Sequence, residues 1–528
     1  MKIMKKTLLL ILVAILNCSI FSLNTSATNY YASPLGTSSA AGTLTAPLTF
    51  TAAIAKALTA GDSVIVRGGQ YNLSSLQQIS KSGTAVKFVH VVNYAGETPI
   101  LDFRTQAYNS SNQGVKISGS YVHFKGIIIQ GAGDNGLQVT GSNDKIENCT
   151  FRWNCDSGLQ MKTGSDNLIL NCDSYENFDY ESGGISAPDF GGNADGFADK
   201  QYTNTGTNTY KGCRSWRNGD DGWDSYEKIG NTVYDSCWCY AMAPASFDMR
   251  QNIRFKTDSA SWFYQFKSSN FVMKNYGNGN GFKMGGNYTA HNATAHNCIS
   301  VGNLVKGFDQ NNNNGIMTVS NCTSYNNGNN YGYSNSSYGT LIIKNCASLS
   351  SKGSNSFSCK SVTQTYNSWN SGFSCSSADF VSLDYMQMLN PRQSDGSLPE
   401  ITLLHLVPTS GLIDKGTNVG FTYSGLAPDL GAFEYSNTTA IETVLSDGNI
   451  RIYPNPVNEK AIISLNAISN DVLTINVFDM TGRMVVNKIV SIESGKNDIT
   501  VNTELLQKGN YICRIRGREM NCNCKLSK

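Results

Sequence analysis

The sequence is poor in charge and carries no excess of either sign. Only 15% of its 528 residues are charged, and without Lys2, Lys5 and Lys6 it keeps 38 of its 41 basic residues against 39 acidic ones. A chain so close to neutrality offers no broad basic surface for nucleic acid or for an anionic membrane. The composition therefore argues against both as partners.

Long apolar runs and helical periodicity are also scarce. The run LLLILVAIL near the start follows three lysines and precedes the small residues NTSA, a pattern that predicts a secretory signal peptide over residues 1–27. With no second long apolar stretch, we expect an exported, soluble chain. Because Gly, Asn, Ser and Thr are abundant instead, we expect many short strands joined by turns.

A repeat marked by cysteine runs through the middle of the chain. Seven cysteines are spaced by 23, 41, 24, 61, 24 and 24 residues: Cys149, Cys172, Cys213, Cys237, Cys298, Cys322 and Cys346. Four of the six intervals fit one repeat length, and the other two fit repeats with insertions. This regularity favours small residues stacked inside successive coils, although disulfides between some of them remain open. Most of these cysteines follow Asn, which predicts amide ladders at that corner.

A second column has the same period. Gly followed by a large apolar residue recurs in DNGLQV, DSGLQM, ADGFAD, DDGWDS, GNGFKM, VKGFDQ and NYGYSN. Self-similarity of this length, with short strands and Asn-rich turns, is typical of a parallel β-solenoid. We therefore predict an all-β chain in which residues 28–437 form a right-handed parallel β-helix with three strand segments per coil.

Alternation along a strand then assigns the two faces of one wall. If the large apolar residues up to Tyr333 point inward, the residues after them point outward. The predicted outward column is Gln138, Gln160, Ala198, Asp224, Lys283, Asp309 and Ser334. Asp224 and Lys283 are thus expected on one solvent-facing wall, within a few coils of each other.

The two ends of the chain depart from the repeat. Residues 29 to about 70 include one amphipathic segment, which we predict to be a helix that caps the open end of the solenoid. From about residue 438 the alternating segments AIISL, LTINVFD and YICRIR predict a small antiparallel β-sandwich over 438–528.

Aspartates cluster at the turns of neighbouring predicted coils. Asp220, Asp221 and Asp224 lie in NGDDGWDSYE, and Asp195 holds the corresponding turn of an earlier coil. Four converging carboxylates suit calcium (Ca²⁺), which takes six to eight oxygen ligands. The five histidines show no ligand spacing around them, which argues against zinc. DDG could also be a polar turn that caps backbone amides, but the register with Asp195 and Lys283 favours a metal site.

Three segments in this order resemble one enzyme family. GGNADGFADK, RNGDDGWDSYE and NGNGFKMGG closely resemble the family 9 polysaccharide lyases, secreted β-helix enzymes that cleave pectic polymers. The resemblance covers residues 29–437. It implies a calcium ion held by Asp195, Asp220, Asp221 and Asp224 and a catalytic base at Lys283. The interval from Asp224 to Lys283 looks long for the family and predicts an insertion around residues 250–270.

The implied chemistry agrees with these residue types. In β-elimination a base removes the C5 proton of a uronate and the oxygen at C4 leaves, which gives a 4,5-unsaturated sugar. A metal ion that neutralises the uronate carboxylate makes this proton more acidic. The lysine must be unprotonated, and we expect calcium and partial burial to favour its neutral form. An alkaline rate optimum follows.

Other side chains near the motifs have open roles. Lys200 is a second possible base, but it lies outside the predicted outward column. Asp309 and Gln310 are predicted as substrate contacts or ladder residues one coil beyond Lys283. Arg250 is predicted to bind a uronate carboxylate, and Lys306 could do the same. The alternative is that each is a solvated surface charge. No proton donor for the leaving oxygen stands out, so water is expected to serve.

We therefore expect a calcium-dependent pectate lyase, acting as a monomer on α-1,4-galacturonosyl linkages of polygalacturonate. Rhamnogalacturonan I is the main alternative substrate, since the same base and metal would serve both. A hydrolase would need paired carboxylates at a fixed separation. A noncatalytic polysaccharide-binding solenoid stabilised by calcium is the other class, and Lys283 argues against it.

The tail has its own resemblance. IYPNPV, VFDMTGRMV and KGNYICRI are similar to the C-terminal sorting domain of type IX secretion in Bacteroidetes. This implies passage through the outer membrane and a secreted or cell-surface location. Cys522 and Cys524 depart from the usual end of that domain. The alternative to a sorting domain is an accessory β-sandwich, for example one that binds sugar.

Overall fold

The computed structural model describes residues 27–435 except 57, 180–190, 204, 244–245, 248–270 and 273–276, and residues 450–528 except 468, 480–483 and 518–520. Contacts divide the chain into two units, with the division between Tyr435 and Ser436. The signal peptide predicted over residues 1–27 falls almost entirely outside the described residues. The predicted domain boundary after residue 437 does so as well.

The first unit is a parallel β-helix with three sheets, as predicted. In the described residues its long sheet has 12 strands: Asn29–Ala32, Ser63–Val66, Val89–Asn93, Val122–Lys125, Lys145–Glu147, Leu168–Leu170, Thr207–Lys211, Gly230–Asp235, His291–His296, Ile316–Ser320, Thr340–Lys344 and Ser361–Thr365. We name the sheet that carries the Gly-apolar column the site sheet. Its 10 strands are Gln77–Ile79, Val115–Ile117, Leu137–Val139, Leu159–Met161, Phe197–Asp199, Trp223–Asp224, Phe282–Lys283, Lys306–Asp309, Asn329–Tyr333 and Ser356–Phe357.

The third sheet closes each coil. Its 10 described strands are Gly69–Asn72, Pro99–Asp102, Ile128–Gln130, Thr150–Arg152, Asp173–Tyr175, Arg214–Trp216, Trp238–Tyr240, Ile299–Val301, Thr323–Tyr325 and Ala347–Leu349. A short antiparallel pair, Ser246–Phe247 with Phe271–Val272, lies within the longest insertion of the repeat. The apolar residues of all three sheets fill one continuous core.

The inward column of the site sheet is a stack of aromatic rings. The rings of Phe197, Trp223, Phe282 and Phe308 follow one another at centroid distances of 5.1, 4.7 and 4.8 Å. The next ring in register is Tyr331, not the predicted Tyr333. Both tyrosines point inward because they are two residues apart, so the sequence pattern could not separate them.

The predicted outward column is otherwise in register. Gln138, Gln160, Ala198, Asp224, Lys283 and Asp309 are consecutive partners across the strands of the site sheet. Gly332 follows Asp309 in place of the predicted Ser334. The pleat therefore sets Asp224, Lys283 and Asp309 on adjacent coils of one wall.

The seven repeated cysteines are buried and unbridged, and their thiols contact backbone carbonyls of the same turn. The asparagines before them serve mainly to turn the chain, since Asn148, Asn171, Asn297, Asn321 and Asn345 have φ between 50° and 57°. Asn tolerates this left-handed conformation better than most residues. The prediction of amide ladders at this corner is therefore largely wrong, with one link from Asn345 to Asn321 at 3.0 Å.

The longer amide ladders lie at other turns. One of them leads to the site sheet, where Asn154 donates to Asn177 and Asn177 donates to Asn218, each at 2.9 Å. A second ladder links Asn167 to Asn208 at 3.3 Å. Each link satisfies buried amide groups of neighbouring coils and so fixes their register.

Asp144 occupies the next position of this second ladder and is a poor substitute for Asn. Its Oδ1 accepts the backbone N–H of Val122 at 2.7 Å, but its buried Oδ2 has no hydrogen-bond partner among the described residues. Burial raises the pKa of Asp144 to about 8, and the bond from Val122 only partly offsets this. Since the unfolded carboxyl titrates near 3.9, ionisation of Asp144 destabilises the fold increasingly as pH rises from about 4 to about 8.

We expect Asp144→Asn to stabilise the solenoid at neutral pH. An amide keeps the acceptor for Val122 and, unlike the carboxyl, gains nothing from ionising when the chain unfolds, so the free energy of unfolding should rise on the order of 3 kcal/mol at pH 7. Thermal melts at pH 4 and pH 7, followed by circular dichroism, test this. A gain as large at pH 4 as at pH 7 would contradict the ionisation argument.

The segments before and after the coils pack in different places. The predicted N-terminal helix exists but is only Phe50–Ile54, with Thr49 as its N-cap and Phe50, Ala53 and Ile54 packed into the core. Residues 366–435 contain the 3₁₀ turns Ser377–Asp379 and Tyr385–Leu389 and share an apolar cluster with the third sheet, along which Arg392 reaches back to Asp173 at 2.7 Å.

The second unit is an antiparallel β-sandwich with its own core. One sheet contains Ile450–Tyr453, Lys460–Ala467 and Gly495–Asn502. The other contains Met484–Ile492, Asp471–Asp479, Asn510–Arg516 and Asn521–Ser527 in that spatial order. This architecture agrees with the sequence prediction. Among the described residues of the whole chain, no helix is long and apolar enough to cross a membrane.

Candidate active site

Four aspartates meet at one edge of the site sheet, at the turns that enter its strands. Asp195, Asp220, Asp221 and Asp224 are all at least 98% buried. We name them the aspartate quartet. One carboxylate oxygen from each of Asp195, Asp221 and Asp224 lies within 4.8 Å of the others. The structure thus brings together three of the four metal ligands that the sequence suggested, and the fourth, Asp220, lies at the same turn with its carboxylate hydrogen-bonded to Asn278.

Backbone and amide donors fix the directions of these carboxylates. The Asp221 backbone N–H donates to Asp195 Oδ1 at 3.1 Å, and the Asn280 backbone N–H donates to Asp221 Oδ1 at 2.7 Å. The side-chain amide of Asn280 donates to the same oxygen at 3.0 Å. The second oxygen, Asp221 Oδ2, faces the ammonium of Lys283 at 3.0 Å.

Glycine is required between the quartet and the strands. A Cβ on Gly222 would lie 2.5 Å from the carbonyl oxygen of Gly281 on the next coil, and a Cβ on Gly281 would lie 2.6 Å from that of Gly307. Any side chain here would force the coils apart. The Gly of the repeat is therefore needed for close packing of the turns that carry the aspartates.

Two lysines neutralise part of the quartet. Lys283 Nζ lies 3.0 Å from Asp221 Oδ2 and 3.3 Å from Asp224 Oδ1, and its side chain is 7% exposed. Lys200 Nζ lies 3.0 Å from Asp195 Oδ2 and 2.9 Å from Asp224 Oδ2, with 22% exposure. Lys200 is outside the outward column, as predicted, but its long side chain still reaches the site.

The crowding of carboxylates shifts their pKa values. Burial raises the pKa of Asp195 and of Asp220 to about 7. Burial and the charge of Asp220 raise the pKa of Asp221 well above its usual range. Burial acts on Asp224 in the same direction, but Lys200 and Lys283 outweigh it and hold the pKa of Asp224 below its ordinary value.

The aspartate quartet also shifts the pKa of Lys283, and in the direction opposite to the expected one. Burial by itself would lower the pKa of Lys283, but the charges of Asp221, Asp224 and Asp220 raise it well above its ordinary value. Burial thus acts in the expected direction, but without a cation the charge of the quartet outweighs it and keeps Lys283 protonated. A neutral Lys283 needs something that cancels the carboxylate charge.

The residues present fit a divalent cation. Four carboxylates and the two lysines leave a formal excess of two negative charges, concentrated in a buried space. All the ligand atoms are hard oxygens, which suit calcium, and those of Asp195, Asp221 and Asp224 converge within 4.8 Å of one another. A bound calcium would lie among Asp195, Asp220, Asp221 and Asp224.

The remaining predicted site residues have different positions. Asp309 faces outward beside Lys283, and its Oδ1 accepts from Lys306 Nζ at 2.8 Å. Gln310 is 1% exposed and uses its amide within the protein, donating to Tyr338 O at 2.9 Å and accepting from Asn335 N at 2.9 Å. We therefore leave Gln310 out of the substrate contacts. Arg250 lies outside the described residues.

Several site residues escaped the sequence analysis. Asn280 holds the same turn position as Asp195 and Asp221, and its register with them was the available signal. Tyr226 lies two residues after Asp224 and is 41% exposed. Its ring centroid is 5.7 Å from Lys283 Nζ. Ser157 Oγ contacts Asp195 Oδ2 at 3.2 Å from the preceding coil.

Sequence comparisons agree with this arrangement. Residues 30–355 match the model of the "Pel9A-like, right handed beta helix region" family. "Pectate lyase L" of Dickeya chrysanthemi is 36% identical over 419 residues, which cover 77% of this chain and 90% of that protein. Residues 451–527 match the model of the "Secretion system C-terminal sorting domain". The protein is therefore secreted or held at the cell surface.

Solved structures show the same fold. The crystal structure of pectate lyase Pel9A is 34% identical, with a TM-score of 0.65, and the match covers 78% of this chain and 98% of that one. A structure titled "Rhamnogalacturonan lyase" is 23% identical, with a TM-score of 0.61 over 72% of this chain and 97% of that one. At that identity, the second likeness shows the fold alone. The predicted right hand of the β-helix is confirmed by the matched family.

Proposed function

Because the chain belongs to the Pel9A-like right-handed β-helix family and is a polysaccharide lyase, we propose that it is a calcium-dependent pectate lyase. It cleaves α-1,4-galacturonosyl linkages of polygalacturonate by β-elimination, with Lys283 as the base. The observation that carries this proposal is the position of Lys283, whose amine lies at the outer edge of a buried aspartate quartet. The 36% identity to a pectate lyase supports the substrate class.

A lysine base beside the metal site distinguishes a catalytic site from a calcium site that only stabilises the fold. A calcium ion that only stabilised the fold would need the carboxylates but no lysine among them. Lys283 instead lies between Asp224 and Asp309 in the outward column and gives the site an amine that can accept a proton. Membership in a lyase family argues in the same direction, against the noncatalytic alternative.

The elimination needs a base and a proton for the leaving oxygen. Lys283 Nζ accepts the C5 proton of the uronate, and the electron pair forms the C4–C5 double bond as the C4 oxygen leaves. A calcium ion held by the quartet would supply positive charge that stabilises the carboxylate of this uronate as charge develops on it. The quartet holds the charge in a buried setting, where electrostatic stabilisation is stronger than in water. Water protonates the leaving oxygen.

The substrate is tested by the ultraviolet absorbance of the unsaturated uronate product. Wild-type enzyme should release this product from polygalacturonate in the presence of calcium and lose the activity in chelator. Rhamnogalacturonan I is assayed in parallel with the same enzyme. Faster turnover of rhamnogalacturonan I would replace the proposed substrate, and no product from either polymer would overturn the proposal.

A further inference from the structure

A groove of about 490 Å³ opens beside the quartet, on the side of the next coil. Its lining includes Asn278, Asn280, Val305, Lys306, Asp309 and Asn311. Asn280 belongs to both places, because it donates to Asp221 and also forms the groove wall. A polymer whose reacting uronate lies at Lys283 can therefore extend into this groove.

Lys306 has unused donors in this groove. Its Nζ donates to Asp309 Oδ1 at 2.8 Å, and this is its one hydrogen bond in the part of the chain that the structure describes. An ammonium group has three donors, so two remain for a ligand. Lys200 and Lys283 are each held by two quartet aspartates, whereas Lys306 contacts none of them.

The position of the Lys306 ammonium is set by its neighbours. Asp309 is nearly buried and also accepts from the backbone N–H of Asn311 at 3.1 Å, which holds the carboxylate in place. Gly332 lies beneath the lysine chain, since a Cβ there would come within 2.8 Å of Lys306 Cε. The glycine lets the chain lie flat along the wall toward Asp309.

Asn280 fixes the wall of the groove next to the quartet. Its side chain is 3% exposed, and its amide donates to Asp221 Oδ1 at 3.0 Å. The groove thus presents the ammonium of Lys306, which complements a carboxylate.

We propose that this groove is a subsite for a second uronate, next to the one that is cleaved. Lys306 binds the carboxylate of this sugar. Asp309, predicted as a substrate contact, acts instead as a positioning residue for Lys306. The inference rests on the proposed function, because it takes Lys283 to mark the sugar that is cleaved.

A cation in this subsite selects between the two candidate polymers. In polygalacturonate every neighbour of the reacting uronate carries a carboxylate. In rhamnogalacturonan I the neighbours are rhamnose, which has none, so the half-buried Lys306 would gain no charged partner there. The subsite therefore favours polygalacturonate.

Kinetics of Lys306→Met test the subsite while keeping the aliphatic part of the side chain. We expect KM on polygalacturonate to rise about tenfold, since a hydrogen bond to a charged group contributes on the order of 1.4 kcal/mol or more, with kcat within about twofold. Gly332→Ala should raise KM in the same direction by displacing Lys306. Lys344→Met, a half-buried lysine on the long sheet, should change neither constant.

Binding separates failure of this inference from failure of the proposed function. Tetragalacturonate and rhamnogalacturonan I fragments are titrated by calorimetry into Lys283→Ala protein, with and without Lys306→Met. Loss of affinity for tetragalacturonate alone supports the subsite even if the wild type proves to act on another polymer. If Lys306→Met leaves the affinity for tetragalacturonate unchanged, or lowers the affinity for both ligands equally, the subsite is overturned.

Discussion

Lys283→Arg is expected to lose at least about 10³-fold in kcat on polygalacturonate, within the range that a positioned general base contributes. Arginine keeps the positive charge and the ion pairs to Asp221 and Asp224. It cannot act as a base, however, because the pKa of its guanidinium lies above 12. Initial rates of unsaturated product at saturating substrate and calcium measure the loss.

The matched control is the same substitution at the other lysine of the site. Lys200→Arg should keep more than about a tenth of the activity, because a guanidinium can still pair with Asp195 and Asp224. Thermal melts of both variants show whether the fold is retained. If Lys200→Arg were inactive and Lys283→Arg active, the base would be Lys200.

The rate of the wild type should rise as the pH becomes alkaline. The quartet raises the pKa of Lys283, so the amine is largely protonated at neutral pH and its neutral fraction grows with pH. Cancelling quartet charge lowers that pKa. At a fixed neutral pH the rate should therefore respond more steeply to calcium than at alkaline pH, which a matrix of pH and calcium concentrations measures.

The sequence predicted most of the fold because the solenoid repeats itself. Each Gly of the repeat packs against a neighbouring coil, and the aromatic residue after it stacks on the ring of the previous coil. The spacing of these residues in the sequence therefore predicts which residues of neighbouring strands are partners. The aspartate quartet was predictable for the same reason. Asp195 and Asp221 hold equivalent turn positions in neighbouring coils and so become neighbours in space, while Asp220 and Asp224 flank Asp221 in the sequence.

Other features depend on geometry that spacing does not contain. The reach of the Lys200 side chain across a coil follows from its rotamer, and the pKa of Lys283 follows from four carboxylates at once. Tyr331 and Tyr333 share the same parity, so alternation alone could not choose between them. Gln310 was singled out beside Asp309, but it faces a loop whose backbone groups it satisfies.

Asp221→Asn should separate metal binding from folding. The pKa of Asp221 is raised well above its usual range, so its ionised form destabilises the protein at neutral pH when no cation is bound. An asparagine removes that charge, and its oxygen can still accept from the Asn280 backbone. In chelator the variant should therefore melt at or above the temperature of the wild type.

Calcium should reverse this order. A ligand that binds only the folded state at 100 times its Kd stabilises that state by about 2.7 kcal/mol. The wild type should gain this stabilisation, whereas Asp221→Asn should gain far less and should also lose most of its activity. Melting curves in chelator and in calcium measure both shifts, with Asp309→Asn as a control carboxylate outside the quartet.

The opposite signs of the two shifts make the test specific, because a carboxylate that merely packed or capped a turn would weaken the protein in both conditions when replaced. A variant less stable in chelator, with the calcium shift intact, would assign Asp221 to the turn and leave the metal to its neighbours.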